Sequence, residues 1–336
     1  MTVTEDEWRE LESPQDTPGR SSLRLYPESP LDIFLSVSHP GRQRMLVFRA
    51  DARSADPIVR SVSRLPKAAG IEMHLSAVSR VEYELQVILT ADGLREVFNP
   101  LVTDVAETAK SAPAAAEALA AAVDRFERWQ DLLRAVSRDG LTAEARRGLY
   151  GELLVLGDVL LTSLGQAGAV EAWTGPTGTN QDFQLSGLAI ETKASVAKRP
   201  RSIRIASERQ LDGTGTPALL LALANLDERR GGSGESLNRR VEGIRQQLAS
   251  PAVRARFDGL LVQVGYLPGQ NDLYEEPRYT LRELRFWHVR EGFPRLVESD
   301  LPEGVGDCIY HVSTSGLDAY RATADEVKEL IGGSHG

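Results

Sequence analysis

The sequence predicts an α+β chain with a mixed sheet flanked by helices in its second half, and three observations predict it. Residues 23–99 show the two-residue apolar alternation of strands, residues 100–137 turn alanine-rich and helical, and residues 138–336 alternate helix, hairpin, strand and helix. A length of 336 residues is enough for two domains, or for one domain with a large extension.

In chain order, residues 1–22 are polar and acidic and read as a flexible leader, with neither the basic n-region nor the apolar h-region of a secretory signal. Within the β-rich domain over 23–99, residues 31–37 largely alternate and residues 45–48 form a short apolar run. Residues 57–65 read as a short helix or turn, and in 81–89 Val81, Tyr83, Leu85 and Val87 share one face of a further strand. The helical connector over 100–137 carries Leu119, Val123, Phe126 and Leu133 as a stripe at helical spacing. Ser137-Arg138-Asp139-Gly140 is a polar turn that marks a boundary. The domain over 138–336 opens with a helix at 142–164, capped by Thr142. A hairpin follows, with strands at 182–186 and 188–194 turning at Ser186-Gly187. Then come a strand at 202–206, a short helix started by Ser207, a strand at 218–223 and a helix at 235–248. A short helix at 252–257, strands at 259–264, 281–289 and 308–312, and a helix at 324–331 complete the chain.

Composition narrows the function classes. A hydrophobic fraction of 41% and a charged fraction of 26% are those of an ordinary soluble globular protein. No apolar run approaches the ~18 residues a membrane-crossing helix needs, so no membrane association is expected and the cytoplasm is the expected location. The single cysteine, Cys308, excludes an internal disulfide and a multi-cysteine zinc site, and it reads as a small buried strand residue. A net charge of −9 argues against a protein that coats nucleic acid through bulk electrostatics. The local sign differs: from Lys193 to Gln210 six basic residues face one acidic, a balance of +5. For a cleft the local sign decides, and Lys198, Arg199, Arg201 and Arg204 are the candidates to hold a nucleic-acid backbone.

The chemistry concentrates in the hairpin. Glu191 and Lys193 sit two apart on one strand and share a face with Ala189, while Ile190 and Thr192 face the other way. If the two strands pair with their apolar faces together, Asp182 converges on Glu191. Two carboxylates with a main-chain carbonyl suffice for a hard divalent cation, which keeps several waters, and a lysine two residues from a ligand can position water or neutralise charge. On the preceding helix Glu152 stands on an apolar face beside Leu149, Leu153 and Leu156. That burial is costly unless a cation, a hydrogen-bond partner or solvent meets it. Other candidates weigh less: His39, His74, His288 and His311 are isolated, and Gly231-Gly232-Ser233-Gly234 lacks the Lys-Ser/Thr of a phosphate-binding loop.

These residues carry a resemblance. Gly151-Glu152 on a helix, Trp173-x-Gly175-Pro176, Asp182-Phe183, Glu191-Thr192-Lys193 and Ser207-x-x-Gln210-Leu211 resemble the PD-(D/E)XK nuclease superfamily, and more narrowly a bacterial group of PD-(D/E)XK proteins. The motifs cover residues 148–211, with a compatible order of elements to about 265. The resemblance implies a restriction-endonuclease-like αβββαβ core and Mg²⁺-dependent (or Mn²⁺-dependent) cleavage of DNA, as an endonuclease beside restriction or anti-phage systems and their other subunits. By the same resemblance Asp182 and Glu191 are metal ligands, Lys193 is the catalytic lysine, and Glu152 is an accessory acid and further ligand. Gln210 would lie near the site and touch phosphate or water. One departure is clear: Gln181 stands where the pattern has proline. Many nucleases of this fold act as dimers. The competing expectation is a non-catalytic protein that uses the same fold as a scaffold or DNA-binding subunit, and a different metal-dependent phosphohydrolase is a third.

Overall fold

The computed structural model describes residues 3–13, 18–61, 65–68, 70–135, 140–267 and 270–333. The chain forms two compact units, residues 1–138 with 258–268 and residues 139–257 with 269–336. The turn expected at 137–140 falls mostly on 137–139, outside the described residues, as do 1–2 and 14–17 of the expected leader.

The first unit begins with α1 (Glu5–Leu11). The Thr4 side chain accepts from the Asp6 amide, and the Glu7 carboxylate accepts from the Thr4 amide at 2.9 Å, the reciprocal capping that lets so short a helix start. Trp8 is fully buried, its indole N–H donates to Asn99 Oδ1 at 2.7 Å, and the Arg44 guanidinium lies 5.1 Å from its ring centroid. Arg44 in turn pairs with Glu5 and Glu12, each at 2.8 Å. The leader expected over 1–22 is therefore corrected: residues 5–11 are a docked helix and residues 19–22 open β1 (Gly19–Leu25). Two of the acidic residues that made the segment look solvated, Glu5 and Glu12, are the counter-charges of a buried arginine.

After β1 come β2 (Asp32–His39), β3 (Gln43–Asp51), α2 (Ala52–Ser61), β4 (Lys67–Ala68), β5 (Ile71–Ala77) and β6 (Glu82–Leu89). The sheet is antiparallel in the order β1-β2-β3-β6-β5-β4. Ile33, Leu35, Val37, Leu46, Phe48, Met73, Leu85 and Val87 point from one face into the core. That face is covered by α3 (Arg95–Lys110) and α4 (Ala115–Ala135). The connector expected over 100–137 is corrected on this point: these helices are the second layer of the first unit. Ala106, Ala109, Ala118 and Ala122 are fully buried, so the alanine-rich run is the contact surface of closely packed helices. Asp104 bridges the pair by accepting from Trp129 Nε1 at 2.7 Å and from Arg125 Nη2 at 2.9 Å.

The second unit is built on α5 (Ala143–Leu154), a π-helical turn over Val155–Leu160, and α6 (Leu161–Ala172). This run of 30 residues is long and apolar enough to cross a membrane by composition alone; it is kinked at Gly165 (φ 69°), and Leu149, Leu153, Val155, Leu156 and Leu160 are buried within the unit. Next come β7 (Phe183–Leu185), β8 (Leu188–Ser195), β9 (Ser202–Ile205), β10 (Ala218–Arg229), α7 (Leu237–Gln247), α8 (Pro251–Gln263, of which residues 258–263 belong to the first unit), β11 (Arg278–His288), β12 (Tyr310–Ser313), β13 (Arg321–Ala322) and α9 (Ala324–Gly333). The five-stranded sheet runs β13-β11-β10-β8-β7, with β8 parallel to β10 and the other pairs antiparallel. β9 leaves this sheet and pairs with β12, and Ile203, Ile205 and Val312 of that ribbon pack with Ala189, Leu219, Leu221 and Leu223.

Two expectations change here. The strand expected at 259–264 is the last part of α8, in which Leu260, Leu261 and Val262 are buried. A short apolar run fits a buried strand and a buried helix equally by period, and packing decided for the helix. The strand that follows α7 and α8 in the sheet is β11. Cys308 lies in the loop before β12 and is partly exposed.

Candidate active site

The site starts from a glycine on α5. A Cβ added at Gly151 would meet the Cβ of Ala194 at 3.2 Å, the Cβ of Ala224 at 3.6 Å and Cγ2 of Thr192 at 3.7 Å, so α5 lies close against β8 and β10 at this point. Gly151→Val is expected to destabilise the protein by about 1–3 kcal/mol through overpacking, read as a lowered thermal midpoint; an unchanged midpoint would show that the contact is loose. The next residue, Glu152, accepts the indole N–H of Trp173 at 2.8 Å. Just beyond it the helix widens into its π turn, and Arg240 meets the carbonyls of Leu153 at 3.2 Å and Leu154 at 3.4 Å while pairing with Asp158 at 2.6 Å.

The hairpin supplies the other carboxylates. Phe183 pairs with Ile190 in the β7–β8 register, so the same register carried one step back sets Asp182 opposite Glu191. Asp182 is fixed twice: its carbonyl accepts from the amides of Thr174 and Gly175, both at 2.9 Å, and its Oδ2 accepts from the Thr192 amide at 2.7 Å. On the same face of β8 as Ala189, Glu191 Oε1 holds Lys193 Nζ at 2.7 Å. Lys193 Nζ also donates to Gln210 Oε1 at 2.9 Å, and that oxygen accepts from the Ala206 amide at 2.8 Å. Gln210 stands on a one-turn 3₁₀ helix, Glu208–Leu211, whose N-cap Ser207 accepts from the Arg209 amide.

Electrostatics tie the group together. Burial and then the charge of Asp182 hold Glu152 well above the usual carboxylate range, with Glu191 adding to the rise and the Trp173 N–H and Lys193 opposing it. Burial pushes Asp182 up to about 6 against the Thr192 amide and Lys193. Glu191 is pushed up to about 8, by burial first and by Asp182 second. Three carboxylates thus sense one another with a single ammonium among them. Glu191 is 1% exposed, and its Oε2 is buried with no hydrogen-bond partner among the described residues. An unmet buried carboxylate oxygen beside a second carboxylate suits a hard cation, which takes oxygen ligands.

The expected metal set is Asp182, Glu191 and Glu152. Among the described residues no three Asp, Glu, His or Cys side chains stand together as a metal cage. Each carboxylate has one oxygen engaged elsewhere, Glu152 with Trp173, Asp182 with the Thr192 amide and Glu191 with Lys193, and each keeps a second oxygen. Two carboxylates plus waters are the ordinary complement for Mg²⁺, so Asp182 and Glu191 fit that ion without a third.

The model of the family described as "Putative PD-(D/E)XK family member, (DUF4420)" matches residues 4–315. The chain belongs to this family. No curated protein and no solved structure matches it. The PD-(D/E)XK superfamily consists largely of nucleases that use divalent metals.

In this PD-(D/E)XK family member the basic candidates divide. Lys198, Arg199 and Arg201 are exposed in the β8–β9 connection and make no ion pair among the described residues. That connection is pinned where Thr314 donates its amide to Arg201 O at 3.0 Å and its hydroxyl to Pro200 O at 2.8 Å. Arg204, on β9, is drawn toward Glu144 at 3.4 Å and is less free for a ligand. Sequence reasoning missed Gln181 as a contributor, because nothing in its local context marks a glutamine in place of proline as more than a departure. It also passed over Arg240, whose contacts with Leu153, Leu154 and Asp158 span 82 to 87 residues.

Proposed function

We propose that the protein is a metal-dependent nuclease that hydrolyses DNA phosphodiester bonds, acting as an endonuclease in the cytoplasm within a bacterial restriction or anti-phage system. The observation that carries this reading is the contact of Glu191, Lys193 and Gln210 beside Asp182, with Glu191 Oε2 left unmet in a buried setting. The order α5, β7, β8, β10, α7, β11 supports it too. That order fits an αβββαβ core in which β9, the 3₁₀ turn and α8 are read as insertions.

Asp182 and Glu191 would hold Mg²⁺ or Mn²⁺, with Glu152 near enough to tune the charge. A divalent cation there supplies Lewis acidity toward a phosphate oxygen and acidifies water. Lys193 has three N–H donors, two of them spent on Glu191 and Gln210, so the third can orient the attacking water or meet a phosphate oxygen. Gln210 keeps its amide N–H groups for the phosphate, since its oxygen already takes two donors. In the reaction the water oxygen forms the new P–O bond as the bond to the leaving oxygen breaks. Lys198, Arg199 and Arg201 would hold the DNA backbone and offset the overall −9 charge locally.

The alternative, a scaffold or DNA-binding subunit of the same fold that does not cut, draws on the net charge of −9 and on the large N-terminal unit. Two measurements separate the readings. Calorimetric titration with Mg²⁺ is expected to show binding that Glu191→Ala abolishes, and supercoiled plasmid is expected to be nicked only with the cation present. Binding and nicking both absent from the wild-type protein would leave the scaffold.

A further inference from the structure

Gln181 occupies the position directly before Asp182, is 6% exposed, and reaches across to the turn that carries Gln210. Its Nε2 lies 2.9 Å from Arg209 O, 3.3 Å from Asp212 O and 3.5 Å from Gln210 O. An amide nitrogen has only two hydrogens, so three carbonyls converge on one donor group. Those carbonyls belong to the end of a one-turn 3₁₀ helix, an element too short to hold its own conformation. The turn is therefore held from outside. Gln181 takes its carbonyls at 209, 210 and 212, and Arg295 Nη1 takes Leu211 O at 2.7 Å. The Gln181 main chain is itself braced, its carbonyl accepting from Thr179 Oγ1 at 2.8 Å.

We propose that Gln181 is a positioning residue that locks the turn bearing Gln210 to the strand end bearing Asp182, and so sets where Lys193 is held. The inference rests on the nuclease reading for its catalytic consequence and on geometry alone for its structural one. The path is short: Gln181 fixes the carbonyls around Gln210, Gln210 Oε1 receives Lys193 Nζ, and Lys193 lies against Glu191. Proline at 181 could supply a fixed backbone angle but no donor for the turn. The departure from the family pattern is thus a replacement of one way of placing the aspartate by a way of coupling it to the glutamine.

The test uses the full chain with Gln181→Met, which keeps the volume and removes the donors, alongside Gln210→Met and the double variant. Hydrogen exchange of the peptide covering 206–212 is expected to quicken by at least about tenfold in Gln181→Met, with α7 and the thermal midpoint close to wild type. In magnesium-dependent plasmid nicking, kcat is expected to fall by about 10–100-fold with KM nearly unchanged. The double variant is expected to be no slower than Gln210→Met, because Gln181 acts through Gln210. Additive losses in the double variant, or wild-type exchange and kcat in Gln181→Met, would overturn the proposal. If the wild-type chain does not cut DNA, the nuclease reading falls, and exchange alone decides whether Gln181 holds the turn. Should Gln181→Met not fold, Gln181→Glu, which trades donors for acceptors at the same size, carries both readouts.

Discussion

Lys193→Ala is expected to slow magnesium-dependent DNA cleavage by about 10²–10⁴-fold while leaving the protein folded. The lysine side chain keeps 18% exposure, and its ammonium meets Glu191 and Gln210, so the substitution removes mainly polar contacts. What it removes is the one ammonium among three carboxylates, and with it the donor available for water or phosphate. A loss of this size falls on kcat, since an interaction made mainly in the transition state does not alter ground-state affinity. Lys193→Arg is expected not to rescue, because the longer planar fork cannot reproduce the contacts to Glu191 and Gln210 together. Plasmid nicking under single-turnover conditions checks both variants. Wild-type rates in Lys193→Ala would remove the lysine from the mechanism.

The second expected result concerns stability in the absence of metal. Burial pushes the Glu191 carboxyl up to about 8 in the folded protein, above its ordinary value near 4.5, so between those pH values the folded state retains a proton that the unfolded state has lost. Stability conferred below pH ~4.5 is then lost as pH rises through the folded pKa, and with chelator present the protein should weaken by on the order of 3 kcal/mol between pH 5 and 8. Asp182, pushed up to about 6, acts in the same direction over the lower part of the window. Glu191→Gln removes the ionising group and is expected to flatten the curve. A divalent cation meets the ionised carboxylates and is expected to restore stability most at pH 8, as a ligand that binds only the folded state. Thermal midpoints across pH, with chelator and with Mg²⁺, test this. Equal chelated stability at pH 5 and pH 8, or an unchanged slope in Glu191→Gln, would show that Glu191 is not desolvated as described.

Several parts of the site were legible because they depend on neighbours in sequence. The two-residue period of a strand puts Glu191 and Lys193 on one face, and Ser186-Gly187 turns the hairpin, with Gly187 at φ 84°, a value glycine takes without strain. Ser207 caps the turn that presents Gln210. The capping box of α1, Thr4 with Glu7, was equally local and was overlooked because the segment is acidic. Its burial depends on Arg44 and Asn99, which no window of the first 22 residues contains.

By itself, then, the sequence determined the α+β class, the strand-borne Glu191 and Lys193, their facing Asp182 and the family pattern that joins them to Glu152 and Gln210. Tertiary structure alone decided that residues 259–263 are helical, that β9 leaves the main sheet for β12, that α3 and α4 are a packed layer, and that Gln181 clamps the Gln210 turn. The physical reason is the range of the interactions. Periodicity, caps and turns are set by residues a few positions apart. The side on which an apolar run is buried, and the partner that meets a buried polar atom such as Glu191 Oε2, are set by groups that only folding brings near.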